Sequence, residues 1–116
     1  MKTFTKMAAQ GDFIILKINK LPENLEPINK VDGVFVIAHS ETGHNHVMEA
    51  EHVTAYKEPG LSDSDIFELF LSVDHSTEIE HLRSFDTHES LLVEPGNYVV
   101  KRQREYLPEG FRRAQD

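Results

Sequence analysis

Short β-like runs separated by turn-forming residues are the feature that most constrains this chain. Residues 34–39 form a β-branched and aromatic run, and residues 66–73 alternate in hydropathy. An Asp-Gly pair at 32–33 and Pro-Gly pairs at 59–60 and 95–96 mark tight turns between such runs. About seven or eight runs at this spacing predict an all-β single domain, either a small barrel or a compact β-sandwich.

Two segments carry the most informative local patterns. In residues 12–19 three aliphatic side chains share one face of a predicted strand, at period two: Ile14, Leu16 and Ile18. Residues 61–73 permit a short helix capped by Ser62 or Asp63, but the alternation that follows favours a strand from about Ile66.

The length of the chain, its two terminal segments and its composition limit the number of domains, the possible chemistry and the cellular location. A chain of 116 residues is the length of one domain. Residues 1–11 and a C-terminal arm, 107–116, are expected to be irregular, and residues 21–30 read as a loop. The absence of cysteine excludes disulfides, thiolate catalysis and cysteine-based metal sites. The N-terminus has no apolar leader and no run is long enough for a membrane helix, so a cytoplasmic location is expected.

Charge is concentrated in the middle of the chain. Residues 31–100 contain two basic and fourteen acidic side chains, a net charge of −12, within a total of −8. Such a body repels phosphate backbones, so nucleic-acid binding through it is not expected. An acidic surface needs no ligand to be stable, but oxygen and imidazole groups at this density also suit cations.

All seven histidines lie between positions 39 and 88, and some have the spacing of metal ligands. His44 and His46 share one face of a strand, and the short SETG connection would bring His39 close to them. Glu51 could join the same cluster, and His88 could reach it from a separate strand. The sequence therefore predicts a metal site of His44, His46 and His88, with His39 or Glu51 as a further ligand. Zn, Fe, Mn or Ni would suit such a site.

Other polar residues have two interpretations each. Glu89 could act as a general base or orient His88, or it could be an exposed turn carboxylate. Arg102 could face an anionic substrate or pair with acidic residues across strands. Three histidines lie apart from the His44-x-His46 pair and from His88 in sequence and are expected at the surface or its boundary: His52, His75 and His81.

The histidine region resembles the first motif of the cupin superfamily. The matching positions are Gly43, His44, His46, Glu51 and Gly60. The Pro-Gly turn at 95–96 is similar to part of the second cupin motif, although His88 precedes this turn instead of following it. The resemblance implies a cupin-like barrel with a metal site at the His-x-His pair.

A larger part of the chain resembles a family of small bacterial and phage proteins without an assigned activity. The shared strings are TGHNH, a later THE, a Pro-Gly turn and RQREY. The resemblance implies these signature positions: Gly43, His44, His46, His88, Glu89, Gln103, Arg104 and Tyr106.

Two functions follow from these observations. The first is a small metal-binding β protein, which as an enzyme would use a metal-activated water on a small molecule, with Glu89 as its catalytic residue. The second is an accessory module without catalysis, such as a phage virion or decoration protein, located in the virion. A homo-oligomer or another protein partner fits either function.

Overall fold

The structure is a computed structural model that describes residues 3–10, 13–38, 45–61, 66–81, 90–102, 107–108 and 111–112. Its strands are β1 (Met7–Gln10), β2 (Phe13–Ile18), β3 (Glu26–Pro27), β4 (Val34–Ala38), β5 (His46–Glu49), β6 (Val53–Lys57), β7 (Glu68–Val73), β8 (Thr77–His81), β9 (Leu91–Val93), β10 (Gly96–Arg102), β11 (Leu107–Pro108) and β12 (Phe111–Arg112).

Two antiparallel sheets form the body of the protein. The larger sheet has six strands in the order β1-β2-β10-β7-β6-β3, and the smaller has four in the order β4-β5-β8-β9. One buried apolar cluster joins them, with Ile15, Leu71 and Val100 from the larger sheet and Ile37 and Ile79 from the smaller. The all-β prediction is confirmed. Of the two predicted architectures the sandwich is found, and the described strands do not close into a cupin-like barrel.

Some segments differ from the sequence prediction. Within the N-terminal stretch expected to be irregular, β1 pairs with β2 at an edge of the large sheet. Residues 21–30 contain the short strand β3, and the C-terminal arm contains the β11–β12 hairpin. Backbone pairing at the two edges of the large sheet gives β1 and β3 strand structure that their side chains do not encode, whereas β11 and β12 pair with each other in a separate two-stranded sheet. No helix among the described residues is long and apolar enough to cross a membrane.

Two of the three predicted tight turns have the backbone conformation that their residues favour, while Gly96 of the third is the first residue of β10. Asp32 and Gly33 have φ angles of 53° and 80°, and a bridge pairs Val31 with Val34 around them. Positive φ at both central residues defines the type I′ turn that an Asp-Gly pair favours. Gly60 has a φ of 84°, as the Pro-Gly turn requires. The strand predicted from about Ile66 is confirmed as β7, while residues 62–65 lie outside the described residues.

The large sheet is apolar on both faces near β2. Phe13 and Ile15 point into the core, with exposed fractions of 3% and 0%. The face predicted from period two therefore points away from the core, because Ile14 and Leu16 alternate with these residues. The register with β10 sets this choice, since Ile15 lies opposite Val100, which is fully buried.

Arg102 connects the two sheets at the end of β10. Its Nε donates to the carbonyl of Ile37 at 2.8 Å, and one terminal nitrogen donates to the carbonyl of Val36 at 3.1 Å. The other terminal nitrogen donates to the carbonyl of Ile66, also at 3.1 Å. Neither interpretation of Arg102 from the sequence described this arrangement, in which the guanidinium binds backbone carbonyls.

Two connections pass between the sheets at the same end of the sandwich. One links β5 to β6 and the other links β7 to β8. Because β5 pairs with β8 and β6 pairs with β7, the two connections lie side by side. This topology positions the site described next.

Candidate metal centre

Three ligand-type side chains meet where the two connections lie together. His52 immediately precedes β6, and Asp74 and His75 immediately follow β7. The ladder between these strands includes the pair Val53 and Val73. It is extended by a hydrogen bond of 2.9 Å from the backbone N–H of Asp74 to the carbonyl of His52. The end of a sheet ladder therefore fixes the relative positions of the three side chains.

Both imidazoles contact one oxygen of Asp74. The Oδ1 atom lies 3.2 Å from Nδ1 of His52 and 3.1 Å from Nδ1 of His75. The two rings are 4.4 Å apart between centroids and tilted by 42°. One nitrogen from each histidine and one carboxylate oxygen all lie within 4.8 Å of one another.

The histidines change the electrostatics of the carboxylate. The pKa of Asp74 is lowered from its usual value of 3.8, mainly by the hydrogen bond with His75 and further by the charge of both imidazoles. Partial desolvation opposes this effect without reversing it. The carboxylate is therefore ionised over the range in which metal ligands must be deprotonated.

The ligand atoms have separations suited to a transition metal. Two bonds of about 2.0–2.1 Å at a tetrahedral angle place their ligand atoms about 3.3 Å apart, close to the two nitrogen–oxygen distances here. Two histidines and one carboxylate form a ligand set that proteins use for Zn and for non-haem Fe. The side chains of Asp74 and His75 are both 71% exposed, so coordination positions would face solvent.

Acidic side chains surround this cluster. The Oε2 atom of Glu51 lies 3.9 Å from Nε2 of His52, on the opposite side of the ring from Asp74. A shallow cavity of about 280 Å³ next to His52 is lined in part by Glu49, Glu78 and Glu80. Their negative potential would raise the local concentration of cations.

The structure shows only part of the site predicted from the sequence. His39, His44, His88 and Glu89 lie outside the described residues. His46 is fully buried, and its ring packs edge-on against Phe13 with centroids 5.0 Å apart. Glu51, predicted as a ligand beside His46, has its carboxylate beside His52.

The pairing of β4, β5 and β8 shows which strand ends border the predicted site, but it does not test the predicted ligands. Ala38 pairs with His46 across β4 and β5, and His46 pairs with His81 across β5 and β8. The strand ends that border residues 39–44 and 82–89 are therefore neighbours in the small sheet. The set of His44, His46 and His88 stays a prediction.

The sequence analysis placed His52 and His75 at the surface or its boundary but missed their common partner. They are 23 positions apart, so sequence spacing gives no sign of contact. One signal was available in the sequence. His52 comes just before one predicted strand, His75 comes just after the next predicted strand, and each lies beside an acidic residue. Antiparallel pairing of those strands brings the start of one next to the end of the other.

Comparison with known proteins gives a family and no activity. A family model described as "Domain of unknown function (DUF8820)" matches residues 9–103. No curated protein matches the chain, and no solved structure matches it.

Proposed function

The chain belongs to the DUF8820 family, a domain of unknown function, and we propose that it binds one divalent transition-metal ion through His52, Asp74 and His75. The observation that carries the proposal is the contact of both Nδ1 atoms with one oxygen of Asp74, at 3.2 and 3.1 Å. An ion at the centre of these atoms would replace the shared protons and satisfy all three ligands.

The ligand types favour transition metals over Ca²⁺ and Mg²⁺. Two imidazole nitrogens and one carboxylate suit Zn, Fe, Mn and Ni, whereas Ca²⁺ and Mg²⁺ prefer oxygen ligands. The ligands lie at the surface, so bound water would complete the coordination. This arrangement supports metal binding, and a hydrolytic reaction at the ion would require a substrate held beside it.

A bound ion would also hold the two inter-sheet connections together. His52 belongs to the connection before β6, while Asp74 and His75 belong to the connection after β7. Because the ion binds only when these segments are folded, its binding free energy adds to the stability of the fold. The proposed ion therefore has a structural role even without a substrate.

The test measures metal bound to the untagged protein by elemental mass spectrometry and by calorimetric titration with Zn, Mn, Ni and Fe(II) salts. We expect one ion per chain, and at least about 100-fold weaker binding in the double variant His52→Ala/His75→Ala. The matched control, His44→Ala/His88→Ala, removes two histidines of the sequence-predicted site and leaves the buried His46 in place.

Either of two results would overturn this assignment. Unchanged affinity in His52→Ala/His75→Ala would show that these histidines are not ligands. Loss of the ion in His44→Ala/His88→Ala alone would place the ion in the sequence-predicted site.

A further inference from the structure

Strand β1 forms one edge of the six-stranded sheet, and its outer side faces away from β2. Just before β1, the backbone N–H of Lys17 donates to the carbonyl of Lys6 at 2.8 Å. Because hydrogen-bonded positions alternate along an antiparallel ladder, Ala8 also bonds to β2, whereas Met7 and Ala9 point their N–H and C=O groups away from it. The outer side of β1 therefore offers donors and acceptors in the pattern that a further antiparallel strand requires.

Among the described strands, the other edges of the two main sheets are short or blocked. Strand β3 has two residues, and one of them is Pro27, which has no N–H to donate. Strand β9 has three residues, and at β4 the carbonyls of Val36 and Ile37 accept hydrogen bonds from Arg102. Strand β1 contains no proline, no charged residue and no break in its register. These are the features that commonly keep sheet edges from pairing, so β1 is the edge best suited to pair.

Exposed apolar side chains lie along the same edge. Met7 and Ile14 are 60% and 40% exposed, and both lie on the outer face of the sheet. Ile14 is opposite Ala9, whose single methyl group leaves space on that face. A large apolar side chain placed opposite Ala9 on its free side would fill this space and cover Ile14. Singly exposed apolar residues need no explanation, but here they adjoin unpaired strand groups.

Packing within the chain holds β1 in position. Phe4 packs edge-on against Tyr98, with ring centroids 5.9 Å apart, and Ala8 points into the core. The burial of Ala8 leaves the edge open, because pairing there uses the backbone groups of Met7 and Ala9, which are both exposed. A preordered edge loses little conformational freedom when a strand binds to it.

We propose that β1 is the interface of a homodimer, in which the β1 strands of two copies pair antiparallel and join the two large sheets. A two-fold axis beside Ala8 would place Met7 of each copy opposite Ala9 of the other. These residues would exchange about four hydrogen bonds across the axis. Met7 of each copy would also fill the space beside Ala9 and Ile14 of the other. The edge thus supplies its own partner, as an isologous interface requires.

The contact is small, so the dimer should be weak. Pairing along one short strand buries less than the roughly 1,200 Å² of stable specific interfaces. We therefore expect a dissociation constant on the order of 100 µM. The chain has a net charge of −8, but β1 is uncharged, so the seam itself brings no like charges together. This interface shares no residue with the proposed metal site, so either proposal can fail alone.

Sedimentation equilibrium of the full chain in EDTA, from about 10 µM to about 1 mM, tests the proposal without metal-mediated association. Ala9→Pro removes an N–H that faces away from β2, so it should weaken the dimer at least about tenfold and leave the ladder with β2 intact. Met7→Ser should also weaken the dimer. Its matched control is Val31→Ser, since Val31 is 65% exposed but lies in the β3–β4 connection. Far-UV circular dichroism confirms that each variant is folded.

Disulfide crosslinking tests the register of the two strands. The chain contains no cysteine, so each introduced thiol is unique. In the proposed pairing, Met7→Cys and Ala9→Cys in different copies have Cα atoms about 5.5 Å apart, within reach of a disulfide. Two copies of the same variant have them about 8 Å apart, which is too far. A mixture of the two variants should therefore crosslink in a glutathione buffer at least about tenfold faster than either alone.

Three results would overturn the proposal. The first is a wild-type chain that stays monomeric up to about 1 mM, which would leave the edge to a strand of another protein. The second is a dimer that Ala9→Pro and Met7→Ser both leave unchanged. The third is a crosslinking rate of the mixture no higher than that of Val31→Cys mixed with either variant, which measures random collision.

Discussion

Replacing Arg102 by methionine tests how the two sheets are held together. The change keeps an unbranched apolar stem and removes the guanidinium that donates to the carbonyls of Val36, Ile37 and Ile66. A hydrogen bond to a charged group contributes about 1.5–3 kcal/mol, so three bonds set an upper limit of about 9 kcal/mol. Water can replace part of this, because Arg102 is only half-buried. We expect a loss of about 3–4 kcal/mol, a large fraction of the stability of one domain.

Urea unfolding followed by far-UV circular dichroism measures this loss in dilute protein. The midpoint should fall with little change in slope, since the surface exposed on unfolding is nearly the same. Arg102→Lys should give an intermediate loss, because one compact ammonium cannot reach three divergent carbonyls. Lys101→Met is the control: its exposed ion pair with Glu68 should contribute less than about 1 kcal/mol. A loss below about 1 kcal/mol in Arg102→Met would refute the sheet-connecting role.

Three further predictions concern titration and ligand binding. Carbon-detected NMR should show the pKa of the Asp74 carboxyl below 3.8, and His75→Ala should raise that pKa. The stability that the lowered pKa contributes is present above pH 3.8 and is lost as pH falls through the folded pKa. Burial, and then the charge of Glu94, raises the pKa of the Tyr98 hydroxyl above 10.0. The stability that this shift contributes is present below pH 10.0 and should be lost as pH rises through the folded pKa. Tyr98→Phe should remove this pH dependence of the urea unfolding midpoint. Zn²⁺ at about 100 times its Kd should stabilise the wild type by about 2.7 kcal/mol, and His52→Ala/His75→Ala should abolish the thermal shift.

The two groups of histidines belong to opposite ends of one strand pair. His46 of β5 lies opposite His81 of β8 at one end, while His52 and His75 lie in the connections at the other end. A metal measurement on the wild type alone would not separate these ends. The paired double variants assign the ion to one end or to both, and this assignment decides where a substrate should be sought.

Much of the architecture could be predicted from local chemistry. The Asp32-Gly33 turn follows from the ease with which these residues adopt positive φ, and the Pro59-Gly60 turn follows for a similar reason. The strand from about Ile66 followed from alternation, which continues through Val73. These features depend on a few neighbouring residues, so no long-range information was needed.

Edge strands and the orientation of β2 depended on partners far away in sequence. Strand β1 exists because β2 offers it backbone partners, although Met-Ala-Ala-Gln has little strand preference of its own. In β2 both alternating sets begin with apolar residues, and Lys17 in the inward set made periodicity favour the wrong face. Pairing with β10 decided it, by placing Ile15 beside Val100.

The sequence by itself determined the residue types available for a cation site, the all-β class and the turns. Only the tertiary structure brought His52 to Asp74 and His75, because these residues are 22 and 23 positions apart and meet only at the end of the ladder between β6 and β7. Histidine spacing within one strand pointed to His44 and His46, since period two is a local property. Contact between two inter-sheet connections is a property of strand order, and strand order is set by the packing of the whole core.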